Sequence, residues 1–299
     1  MSEPTAATPI AGVAAGVPFL AIPPSVGAPM PAGRRHVVPL IVAWHLMDPP
    51  RSEAAFAAAL PLNGLNAWRI YLGLPMCGAR LPSGGPEALM RLFYQDAVLK
   101  GYQPIAKQGA AEFPAALIAA RQQLGLDDGP LGPVALVGGS MGSILAALVL
   151  TESAPAAGIE IAAAVLISPV TQLHPMVDAI GRRYNVTYPW PPEAMRVAEW
   201  LDFVARADDI VRVGQPAIRL IVGAEDDAEG FLEPARRLHS ALTHRYGDPS
   251  RVDLVVVPEM GHALAEEPGI SPAPQTEPAA AVDQHTMAWL RAHLPGCTT

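Results

Sequence analysis

Val134-Ala135-Leu136-Val137-Gly138-Gly139-Ser140-Met141-Gly142-Ser143-Ile144-Leu145 is the stretch on which the fold turns. Residues 134–137 read as a short apolar strand and residues 144–150 as an apolar helix. The turn between them, 138–142, has the pattern G-x-S-x-G. A chain that reverses from strand into helix so abruptly crowds the positions two before and two after the serine. Gly138 and Gly142 carry no side chain there. The serine hydroxyl is then held clear of the sheet edge, and the first amides of the helix face any anion forming beside it. The turn has neither G-x-G-x-x-G spacing nor the lysine of a phosphate-binding loop, so it does not read as a nucleotide turn.

Working outward, further strands are expected over residues 17–22, 37–44, 67–74, 161–167, 218–222 and 252–257. Between them lie helical patterns. One starts at Asp48-Pro49-Pro50, with Asp48 as cap and Pro at the first position, and continues to 60, and others cover 87–100 and 111–124. Another has Pro234 near its start, a stripe of Ala235, Leu238, Leu242 and Tyr246, and Gly247 at its end; the last covers 279–293. Residues 1–15 read as a loose arm of Ala, Pro and Thr. Alternating strand and helix calls for a mostly parallel sheet with helices on both faces, in a single α/β domain over 16–299. In such sheets chemistry collects at the carboxyl ends of the strands, which ranks the candidate residues.

The composition of the 299 residues sets limits. Half are hydrophobic, enough for a large core, and the net charge of −8 argues against nucleic acid or an anionic membrane as partner. Seven prolines interrupt the uncharged run 4–33, so it does not read as a membrane span, and without a basic n-region it does not read as a signal peptide. A cytoplasmic location is expected. Cys77 and Cys297 are too few and too far apart for a disulfide framework or a metal site, and they read as inert thiols. No metal and no cofactor is expected.

A serine hydroxyl needs a base. Of the eight histidines, His262 stands directly after the strand 252–257, behind Gly261. His36 begins a strand, at the wrong end. His239, His244, His285 and His293 lie in helices, and His174 lies in an insertion. The imidazole needs an acid to fix its tautomer. The loop after strand 218–222 offers Glu225, Asp226 and Asp227, all at a strand end, so position does not separate them; Asp226 is preferred. Asp208 and Asp209 precede a strand rather than follow one.

The order Ser140, Asp226, His262 after successive strands resembles the α/β-hydrolase superfamily, over nearly the whole chain from residue 17. The C-terminal half is similar to the catalytic domain of the prolyl oligopeptidase family, whose large propeller has no room in 299 residues. The resemblance implies Ser140, Asp226 and His262 as the catalytic residues. It also implies an oxyanion hole made by the amide of Met141 and one from the loop after strand 37–44. Many members have His-Gly in that loop; here it reads His45-Leu46-Met47. The His is kept and the Gly is not, leaving the second donor between Leu46 and Met47, with the Leu46 side chain expected to narrow the acyl site. His45 reads as either a substrate contact or a loop organiser, and Met47 as a substrate contact.

Residues 172–212 form an insertion, rich in aromatics between 182 and 204, where the superfamily grows a cap. Tyr188 and Trp190 are candidate substrate contacts there; the alternative is that such rings anchor the insertion. The insertion also offers a face for a homodimer. The function this implies is a serine carboxylesterase acting on an uncharged ester of short or medium acyl chain. An aminopeptidase, amidase or thioesterase of the same fold is the alternative, and a non-catalytic ligand-binding protein the reading from another class.

Overall fold

The computed structural model describes residues 8–24 and 38–298. His36 and Val37, read above as a strand start, lie outside them. One eight-stranded sheet organises the chain: β1 (Ile10–Ala14), β2 (Val17–Ile22), β3 (Leu40–Trp44), β4 (Trp68–Leu72), β5 (Val134–Gly139), β6 (Ile161–Ile167), β7 (Ala217–Gly223) and β8 (Val252–Val257). Their order across the sheet is β1-β2-β4-β3-β5-β6-β7-β8. From β4 to β8 every pairing is parallel, and β1 and β2 run antiparallel at one edge.

The helices are α1 (Glu53–Ala59), α2 (Gly85–Gln95), α3 (Gln103–Gln123), α4 (Met141–Leu148), α5 (Ala154–Ala156), α6 (Leu173–Tyr184), α7 (Pro192–Trp200), α8 (Ala207–Arg212), α9 (Glu233–Thr243) and α10 (Glu277–His293). The apolar strands have a simple cause: successive side chains alternate between two cores. Leu40, Val42 and Trp44 of β3 enter the core shared with α3 and α4, while Ile41 and Ala43 enter the one shared with α1 and α10. β5 repeats this with Val134 and Leu136 against Ala135 and Val137. A strand covered on both faces has no polar side to show. Each large aliphatic buried in this way contributes about 2 kcal/mol.

Four boundaries differ from the sequence reading. Ile10–Ala14 pairs with β2, so these residues are a strand and not part of a loose arm. The Ser52 hydroxyl, not Asp48, caps α1 by accepting from the Ala55 amide at 3.1 Å. α3 begins eight residues before the predicted 111, with Pro104 in its first turn, where no amide is required of it. The helix expected over 87–100 breaks at Asp96, where α2 has ended and a π-helical turn, Ala97–Tyr102, begins. The insertion is helical, carrying α6, α7 and α8, with Leu201 and Phe203 buried in the first core.

Candidate active site

Ser140 sits between β5 and α4 with φ 47° and ψ −112°, a backbone conformation that L residues avoid and that active-site turns retain. The glycines on either side are required by close approach. A methyl at Gly138 would run into the Gly142 carbonyl, and one at Gly142 into the Trp44 carbonyl of β3. The turn is fixed by the Ser140 amide donating to the Ile167 carbonyl at 2.9 Å. The buried Ser143 hydroxyl, which donates to the Ser140 carbonyl at 2.6 Å and accepts from the Val170 amide at 2.9 Å, ties the turn to the chain beyond β6.

His262 Nε2 lies 2.8 Å from Ser140 Oγ, and His262 Nδ1 lies 2.8 Å from Asp226 Oδ2. The Asp226 carboxylate is 4% exposed. The three candidate acids therefore separate in space. Glu225 is exposed, and Asp227 caps the π-helical turn Ala228–Leu232 by accepting from the Gly230 amide at 2.7 Å and faces Arg182. Backbone bonds lace the acid and base loops: the Ala224 amide to the Val257 carbonyl and the Glu225 amide to the Met260 carbonyl, each 2.9 Å. The His262 ring packs on Phe231 with centroids 4.3 Å apart. Its own carbonyl accepts from the hydroxyl of Ser168 at 3.0 Å.

The loop after β3 departs from two expectations. His45 is wholly buried, with Nδ1 2.6 Å from the Leu46 carbonyl and Nε2 3.2 Å from the Leu74 amide. Burial lowers its pKa to about 4, against a smaller upward pull from the Leu46 carbonyl. The ring is thus neutral at pH 7, with Nδ1–H donating and Nε2 accepting. It braces the ends of β3 and β4 and is no substrate contact. Leu46 does not narrow an acyl site either: its side chain is wholly buried in the second core, against Gly139. Met47 is half-buried, and Asp48, next along, is exposed with Oδ2 3.8 Å from His262 Nε2.

No protein-family model and no curated protein matches the chain. Solved structures do. The Thermus thermophilus protein TT1662 superposes with a TM-score of 0.62 at 18% identity, over 97% of this chain and 98% of that one. A Mycobacterium tuberculosis puromycin-hydrolyzing peptidase gives 0.60 at 17% identity, over 97% of this chain. The Pyrococcus furiosus esterase Pf2001 gives 0.51 at 12%, over 96% of this chain and 92% of that one. The fold is that of the α/β-hydrolases. This chain spans 40% of the length of the puromycin-hydrolyzing peptidase.

Within this α/β-hydrolase frame the insertion is fastened by its aromatic residues. The Tyr188 hydroxyl donates to Asp96 at 2.6 Å, and Trp190 Nε1 donates to Asp178 at 2.9 Å while its ring stacks on His174, 4.1 Å between centroids. The polar ends of Tyr188 and Trp190 are committed to this anchoring, and the two rings touch each other, stack with His174 on the Trp190 side, and pack against the first core. A cavity of about 790 Å³ opens between α3 and α7, lined among others by Lys107, Arg196 and Trp200; none of Ser140, Asp226 and His262 lines it. Cys77 and Cys297 are buried and free, with burial raising their pKa values to about 12 and about 11. Among the described residues no group of His, Cys, Asp or Glu could hold a metal, and no helix is long and apolar enough to cross a membrane.

Three residues near the site escaped the sequence reading. Ser143 and Ser168 resemble any small polar residue until their hydroxyls are seen to hold Ser140 and His262. Asp48 was read as a helix cap. Its one sequence signal was its place, three residues past His45 at the carboxyl end of β3.

Proposed function

We propose that the protein is a serine hydrolase that cleaves carboxylic esters through an acyl-enzyme. The observation that carries this reading is the unbroken line from Asp226 Oδ2 to His262 Nδ1 and from His262 Nε2 to Ser140 Oγ, 2.8 Å at each step, ending on a strained turn. In this reading Ser140 Oγ attacks the carbonyl carbon and its proton passes to His262 Nε2. The imidazolium so formed is held by Asp226 and returns the proton to the departing alcohol. Water, deprotonated by the same imidazole, then releases the acid.

The tetrahedral oxyanion needs two donors. The Met141 amide, first of α4, has no partner within its helix. For the second donor, peptide planarity favours Met47 over Leu46. The Leu46 carbonyl accepts from His45 inside the protein, so the Met47 N–H, opposite it across the same peptide plane, points away from the buried ring.

An ester substrate of short or medium acyl chain is the leading reading, and the full-length likeness to an esterase supports it. Amide cleavage is the second reading, supported by likeness to the puromycin-hydrolyzing peptidase. Hydrolysis of p-nitrophenyl esters from acetate to decanoate, by the wild type and by Ser140→Ala, tests the proposal. Turnover by the wild type alone is expected. Equal turnover by Ser140→Ala would sink it, and turnover of aminoacyl anilides in place of esters would move it to the second reading.

A further inference from the structure

The loop that follows β3 carries a carboxylate where the chemistry proposed above would least want one. Asp48 Oδ2 lies 3.8 Å from His262 Nε2, the nitrogen that faces Ser140 Oγ at 2.8 Å. A negative charge there opposes the oxyanion that acyl transfer must stabilise. Among the described residues Asp48 accepts no hydrogen bond, and no Lys or Arg lies at ion-pair distance from it. Arg51, three residues on, is spent on the Met47 carbonyl and on a two-pronged bond to Glu267.

Nor is Asp48 a loose surface side chain. The Pro49 carbonyl accepts from the Leu264 amide at 2.9 Å, and the Arg51 amide donates to the Gly269 carbonyl at 2.7 Å. The backbone on the far side of Asp48 is therefore tied to the loop that follows His262. The Asp48 side chain is 54% exposed, so a ligand entering toward Ser140 meets it directly. Its charge is also felt inward: after burial, Asp48 is the next cause raising the Tyr102 phenol pKa.

We infer that Asp48 is a specificity-determining residue that binds a positively charged group of the substrate, an ammonium carried within a few bonds of the scissile carbonyl. The inference rests on Ser140 as nucleophile. It departs from the uncharged substrate expected from sequence, because that expectation counted no carboxylate at the site. Two short steps, from Ser140 Oγ to His262 Nε2 and on to Asp48, put the carboxylate in reach of a cation on either side of the bond that breaks. A bound ammonium would be attracted by Asp48 and would cancel its effect on the oxyanion.

The test begins with the rate at which Ser140 is phosphonylated by two probes of equal shape, one bearing a trimethylammonioethyl group and one a 3,3-dimethylbutyl group. The cationic probe is expected to react about fivefold faster with the wild type, the size a partly exposed ion pair yields. Asp48→Asn should bring the ratio near one, Asp48→Lys should invert it, and added salt should shrink it in the wild type. A ratio that Asp48→Asn and Asp48→Lys leave unchanged overturns the inference while leaving Ser140 as nucleophile. Failure of both probes to label Ser140 removes the nucleophile, and the inference with it. Matched ester pairs then place the cation: alanine methyl ester against methyl isobutyrate for the acyl side, acetylcholine against 3,3-dimethylbutyl acetate for the leaving side. A preference for the cation that Asp48→Asn abolishes, seen mainly in KM, is expected in one pair.

Discussion

The floor of the site and the insertion above it are held together by different kinds of bond. On the floor most ties join main chain to main chain, Ser140 to Ile167, Ser168 to Ile221, Ala224 to Val257 and Glu225 to Met260, with the Ser143 and Ser168 hydroxyls adding to them. In the insertion, polar side chains reach across gaps: Tyr188 to Asp96, Trp200 and Arg206 to Glu152, and Arg237 to Gln172. Backbone ladders depend little on which side chains stand on them, whereas each side-chain tether is lost with one substitution. The difference implies that the floor sets the positions of reacting atoms, while the insertion tolerates change at a modest cost in stability.

The largest effect is expected from a change on the floor at Ser140. Ser140→Ala should lower kcat/KM for p-nitrophenyl esters by at least about 10,000-fold with little change in melting temperature. Asp226→Asn comes next, at about 1,000- to 10,000-fold, because the amide leaves the imidazole without its charge partner and in the wrong tautomer. Glu225→Gln and Asp227→Asn, measured beside it, should stay within about threefold, and a large loss in either would reassign the acid.

His45 sharpens the contrast through pH. Its ordinary pKa of 6.5 applies in the unfolded chain, and burial brings it to about 4 in the folded one. Between those values the unfolded chain binds the extra proton. The stability is present above pH 6.5 and is lost as pH falls toward 4, by up to about 3 kcal/mol from this group. Urea unfolding across that window should show the loss in the wild type and a flatter profile in His45→Gln. The smallest effect belongs to the insertion. Tyr188→Phe should cost about 1 kcal/mol in thermal unfolding, with kcat/KM changed by no more than about threefold; a larger kinetic loss would make Tyr188 a substrate contact after all.

The parts of this site that could be read from sequence are those marked by backbone demands. Ser140 stands between two obligatory glycines, and His262 follows a mostly apolar strand and a glycine, so both announce themselves. Asp226 does not, since three acids in a row share the strand end and only the turn after Gly223 decides which carboxylate faces inward. β1 was illegible because it is an edge strand with four of its five residues at least partly exposed, and its apolar signal is faint. The start of α3 was hidden by Pro104 and Gly109, both ahead of the expected first residue 111. The side chains after β3 were misread for one reason: His45 and Leu46 point into the protein and Asp48 out of it, and a coil segment has no period from which direction can be inferred.

The link between the β3 loop and the loop after His262 constrains how this protein can be altered. Arg51 to Glu267, Leu264 to Pro49, Arg51 to Gly269 and the Ser52 hydroxyl to the Ile270 carbonyl make residues 47–52 and 264–270 one mechanical part. Grafting a glycine-bearing loop from another protein of this fold onto β3 would leave half of that part behind, and His262 would shift with it. A transplant should succeed only when both segments travel together, so the unit of exchange here is a pair of loops some 215 residues apart in the chain, as the 216-residue separation of Arg51 and Glu267 shows.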